Sequence, residues 1–153
     1  MADRTLEWFE SRTSDWKRDP GQSYVYAIVL SQAGRWDQSQ AVLEDMFEVV
    51  PSVAWDVDQR ASVLHDNAAL ELAYVLARQG HRDQAFRAVG LTKWTTNLVV
   101  RAWGEAALGE RERAVELLRE SGVEFYMHNL AMTNHCDSLL DYPPFQELIR
   151  PKG

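Results

Sequence analysis

Gly34, Gly80 and Gly109 each close one amphipathic segment, and a second such segment starts within two residues of each. The three stretches read Gly34-Arg-Trp-Asp-Gln-Ser39, Gly80-His-Arg-Asp-Gln-Ala85 and Gly109-Glu-Arg-Glu-Arg-Ala114, so a small residue follows every glycine at the same offset of five. Glycine takes the left-handed backbone conformation at little cost, which suits it to end a helix and turn the chain. A small side chain in the following helix lets the two helices approach to ~8 Å. The repeated unit is therefore a helical hairpin, and the chain is expected to be all-α. No segment shows the period-two alternation of a strand.

The remaining pattern fits around these hairpins. Leu6, Phe9, Thr13 and Trp16 form one apolar stripe, predicting an N-terminal helix within residues 1–19. Asp19-Pro20-Gly21 ends it and starts the next, with Asp19 as N-cap, Pro20 at the first helical position and Gln22 completing a capping box. Hairpins are expected over 20–53, 56–90 and 92–121, with a C-terminal cap over 123–150, all in one domain spanning 1–153. Val57, Ala61, Leu64, Ala68, Leu72 and Leu76 predict one helix from about Asp56 to Gln79, with a break near Asp66-Asn67 as the alternative. Gly104, inside a predicted helix, implies a close approach by a neighbouring helix, or less plainly by a ligand.

Composition narrows the function classes. The net charge is −7, from 23 acidic and 16 basic residues, and no basic cluster exceeds two residues. Nucleic acid and anionic membrane surfaces are thus unexpected partners, since phosphate neutralisation needs concentrated Lys and Arg. Cys136 is the only cysteine, so no intrachain disulfide forms. With a polar N-terminus and no long apolar run, a soluble cytoplasmic protein is the simplest reading.

The hairpins resemble tetratricopeptide repeats, whose period is about 34 residues. Gly34, Trp36, Ser39, Leu43 and Pro51 match the first repeat, with Ser39 in place of the usual alanine. Gly80 and Ala85, with Leu72-Ala73, match a second; Gly109, Ala114 and Leu118 match a third, where Arg101 departs from the expected apolar residue. The glycines stand 46 and then 29 residues apart, so the array is irregular. The tail is similar to segments that end such arrays in bacterial regulatory proteins, with Cys136-Asp137-Ser-Leu139 before Pro143-Pro-Phe145. The resemblance covers about residues 20 to 149. It implies a right-handed α-solenoid of about three irregular hairpins, sealed by the tail.

The same resemblance implies a groove lined by the first helix of each hairpin. It maps Tyr24, Ile28, Gln32, Asn67, Tyr74, Arg78, Val99 and Trp103 there, where they would anchor a peptide or helix. The competing reading has Tyr24, Tyr74 and Trp103 packing on one another or on the tail. A protein-interaction module or adaptor is the leading expectation. A homodimer face on the long helix and the N-terminal helix is the alternative, since Trp8, Trp16 and Trp55 lie outside the repeat cores. A second alternative is a metal or small-molecule site at Glu124, His128, His135 and Cys136. No phosphate loop, nucleophile elbow or metalloprotease motif occurs, so neither an enzyme nor a cofactor is expected.

Overall fold

The three glycines take φ values of +73°, +84° and +81° at positions 34, 80 and 109. The computed structural model describes residues 2–11, 19–49, 59–92, 98–122 and 137–150. In it, each of these glycines is the hinge of the same hydrogen-bonded corner. Gly34 N–H donates to the Ser31 carbonyl at 3.0 Å and Arg35 N–H to the Leu30 carbonyl at 2.9 Å. Gly80 and His81 repeat this with Ala77 and Leu76, and Gly109 and Glu110 with Ala106 and Glu105. This pairing satisfies carbonyls that a helix end otherwise leaves open. The residue after each glycine then accepts the first bond of the next helix, from Ser39, Ala85 and Ala114 respectively.

Among the described residues all regular structure is helical. The helices are α1 (Ala2–Glu10), α2 (Pro20–Gln32), α3 (Trp36–Val49), α4 (Gln59–Arg78), α5 (Arg82–Val89), α6 (Leu98–Ala107), α7 (Arg111–Ser121), α8 (Asp137–Leu140) and α9 (Pro143–Ile149). Each corner joins a packed pair: α2 on α3, α4 on α5, and α6 on α7. The first helices also pack side by side, α2 on α4 and α4 on α6, and α3 lies against α4. Ser39, Ala85 and Ala114 are completely buried at the three crossings. The Ser39 hydroxyl, extra relative to alanine, donates to the Ala27 carbonyl at 2.8 Å.

Three apolar clusters follow from these pairings. Leu6 and Phe9 of α1 pack on Val29 and Leu30 of α2. A central cluster joins Ala27, Leu43 and Met46 to the apolar side chains of α4 and to Ala85 and Ala88 of α5. The third gathers Val99, Ala102, Ala106, Ala114, Val115, Leu117 and Leu118 under Leu139 and Phe145 of the tail. Gly104 answers its sequence expectation: an added Cβ would lie 2.6 Å from Val89 Cγ1, so α5 and α6 touch there.

Several local expectations need correction. The first helix stops at Glu10, and Ser11 Oγ turns back to the Trp8 carbonyl at 2.9 Å; residues 12–18 lie outside the described set. Asp19 caps α2 through Gly21 N–H at 2.9 Å, but the Gln22 side chain bonds the Asp19 carboxylate instead of completing a reciprocal box. Thr92 precedes rather than enters a helix, because its hydroxyl and N–H both close onto the Val89 carbonyl. The long helix runs unbroken through Asp66-Asn67. Its residues from Ala68 to Leu76 are all buried. Of the tryptophans in the homodimer expectation, Trp8 on α1 is exposed; Trp16 and Trp55 lie outside the described residues.

Candidate functional site

The C-terminal end of α4 carries the residues that meet in an open cleft. Tyr74 and Arg78 stand four apart and so share a helix face. The corner at Gly34 brings Ser31, Gln32 and Trp36 against that face, and α8 adds Asp137 from the far side. Together these residues line a cavity of about 320 Å³. It matches the size of one or two side chains rather than a large cofactor.

Contacts inside the cleft are specific. The Arg78 guanidinium lies 5.5 Å from the Trp36 ring centroid, in a cation–π arrangement. Tyr74 meets the same indole edge-on at 6.1 Å between centroids. Its hydroxyl donates to Asp137 Oδ2 at 3.1 Å, linking α4 to the tail. Burial first, then the Asp137 charge and hydrogen bond, push the Tyr74 phenol up to about 12, so it stays a donor throughout the physiological range. Arg78 is exposed and makes no ion pair among the described residues.

Beneath the cleft is a group that the sequence reading did not single out. Glu71 is completely buried, and Ser31 Oγ lies 2.6 Å from its Oε1. Burial raises its carboxyl to about 7; the Ser31 contact lowers it somewhat and the Asp137 charge raises it further. Tyr24 of α2 is half-buried beside it, its phenol pushed up by burial and by the Glu71 charge.

Of the residues mapped to a groove, Gln32, Tyr74 and Arg78 therefore come together. Tyr24 is half-buried against the central cluster, and Asn67 is half-buried further back on α4. Trp103 and Val99 belong to the C-terminal cluster and do not reach the cleft. The aromatics are thus not exposed as the groove mapping implied: Tyr74 is 9% exposed, and Trp103 half-buried. Among the described residues the tail packs on α6, with Leu139 and Phe145 in the same cluster as Val99 and Trp103. Glu124, His128, His135 and Cys136 lie outside the described residues. Within the described ones, no three His, Cys, Asp or Glu side chains gather to hold a metal ion.

Ser31, Gly34, Trp36 and Asp137 are the cleft residues that the groove mapping lacked. Trp36 had a signal, its place two residues after Gly34; Asp137 had one in the tail motif, but not its reach to Tyr74. No helix among the described residues is long and apolar enough to cross a membrane. Comparison with protein-family models, curated proteins and solved structures gives no match.

Proposed function

We propose that this chain is a protein-interaction module, an irregular stack of tetratricopeptide-like hairpins that receives a peptide or partner helix at the cleft on α4. The repeat reading draws on the three corners with identical hydrogen bonding and the small buried residue five positions after each glycine. The binding reading is carried by one observation: an exposed guanidinium stacked on Trp36 beside the Tyr74 hydroxyl, at the mouth of a cleft of side-chain size. Tryptophan, tyrosine and arginine are the residues that most often dominate binding energy, because each combines large apolar area with a directed polar group. Here the indole is held by its own core, so little ordering is left to oppose binding.

Arg78→Ala removes the exposed cation and touches no buried contact. Its cost in stability is under ~1 kcal/mol, the value of an exposed cation–π pair. Peptides selected by display on the full chain should bind the wild type and lose at least about tenfold in affinity for Arg78→Ala. A selection that yields no peptide, or peptides indifferent to Arg78, would overturn the reading.

A further inference from the structure

Glu71 stands three residues before Tyr74 and seven before Arg78, so it shares their helix face one turn deeper. Ser31, itself in the cleft wall, places Oγ 2.6 Å from Glu71 Oε1 and 2.9 Å from the Ile28 carbonyl oxygen. A hydroxyl has one proton to give. When Glu71 is neutral, its O–H can donate to Ser31 Oγ while Ser31 donates to Ile28, and the chain of bonds is complete. When Glu71 is ionised, the carboxylate claims the Ser31 proton and the second bond is lost.

The groups that bear on Glu71 come from a few elements. From α2 comes Tyr24, and from α8 the Asp137 carboxylate, whose charge opposes ionisation. Its own helix contributes Tyr74, whose phenol the Glu71 charge raises and the Arg78 charge lowers. Among the described residues no charged group of α3, α5 or α6 figures among the causes of its shift. Ionised Glu71 therefore adds a second negative charge behind Asp137, the residue that pins α8 to Tyr74.

We propose that the cleft is proton-gated: neutral Glu71 joins α4 to Ser31 of α2 and leaves Asp137 of α8 bonded to Tyr74, and its ionisation repels Asp137 from the Tyr74 hydroxyl and opens the cleft to a partner. This rests on the interaction reading above and adds its regulation. The sign follows from linkage. The folded protein holds this proton up to about pH 7, against an ordinary value of 4.5. Its stabilising contribution is thus complete below pH 4.5 and lost as pH rises through 7. For this group alone, the folding constant falls about tenfold between pH 6 and pH 8.

Isotope-labelled full-length protein tests the gate by NMR titration. The Glu71 carboxyl carbon is expected to titrate near pH 7, with the Ser138 and Leu139 amides following the same midpoint. In Glu71→Gln those amides stay still, and the tenfold pH dependence of the folding constant disappears relative to the wild type. A display-selected peptide binds the wild type more tightly at pH 8 than at pH 6, and binds Glu71→Gln equally at both. Wild-type amides of α8 that ignore the Glu71 titration, or a Glu71→Gln profile like the wild type, would sink the proposal. Should Glu71→Gln fail to fold, Asp137→Asn, an exposed change, must move the Glu71 midpoint towards acid; an unmoved midpoint overturns the coupling. Intact NMR coupling with no peptide bound at either pH would remove the interaction reading alone. Peptide binding that ignores pH would remove the gate alone.

Discussion

The packing around α4 and the packing around α6 to α9 fill similar volumes with different chemistry. The central region buries Ser31, Ser39, His65, Asp66 and Glu71 among its apolar side chains. Among the described residues, α6 to α9 bury no Ser, Thr, amide or charged side chain, and their buried polar atom without a hydrogen bond is Trp103 Nε1; Leu117, Leu118, Leu139 and Phe145 close that region. A buried polar group is costly unless its bonds are met, so a protein keeps one where it specifies an arrangement or does something. An apolar seal has neither demand and is the cheaper way to close an edge. The cleft lies over the polar region, and the seal lies beside it.

That contrast can be broken or sharpened by substitution, and the largest effect belongs to the seal. Phe145 is completely buried, so Phe145→Ala should cost ~3–5 kcal/mol in chemical denaturation. The loss should be the same at pH 6 and pH 8, because among the described residues no titrating side chain of α6 to α9 is buried. A pH-dependent loss would show that the two regions are not separate in energy.

Next in size is the join between the regions. Gly104→Ala would set its Cβ against the branched Val89 side chain, an overpacking that should cost ~1–3 kcal/mol. In a Val89→Ala background the sign should reverse, since alanine is better than glycine inside a helix by up to ~1 kcal/mol. Thermal unfolding of the four proteins in this cycle measures the coupling, and a zero coupling would mean α5 and α6 do not touch as described.

The smallest effect is expected inside the polar region. Ser39→Ala restores the residue found at the other two crossings, and the Ala27 carbonyl it bonds lies within α2 with a helical bond of its own. The cost should stay below ~1 kcal/mol. A larger one, seen as a lowered denaturation midpoint, would mean that the polar region depends on each of its bonds and not on Glu71 alone.

The legible parts of the fold were the local ones. Positive φ at the three glycines, the buried small residues at the crossings and the burial of Leu139 and Phe145 all follow from short stretches of chain. Glu71 was not legible because, seven residues after Leu64 and three after Ala68, it lies at the edge of the α4 apolar stripe, where a carboxylate reads as the boundary with water. A single stripe assumes that the opposite face meets water. Helix α4 instead has α2, α3, α5 and α6 around it, so its off-stripe residues are buried too. Similarly, Val25 and Phe86 have apolar side chains yet are exposed, because pairing leaves those faces of α2 and α5 uncovered. Tyr74, Arg78 and Gln32 were found through the repeat resemblance, which places first-helix residues on one surface. The same logic put Trp103 and Val99 in the groove, whereas both lie in the cluster with Leu139 and Phe145 of the tail, the placement that the competing reading gave Trp103.

The glycine corners also bear on the order in which the molecule comes together. Each corner closes its hydrogen bonds within six residues, and the extensive helix pairings join elements near one another in sequence. Such contacts form early, because little chain entropy is lost in closing short loops. The bond from Tyr74 to Asp137 spans 63 residues and on that ground belongs to the final steps of assembly. The cleft is therefore finished after the hairpins that frame it, so a half-assembled chain would present the corners without yet presenting the closed cleft.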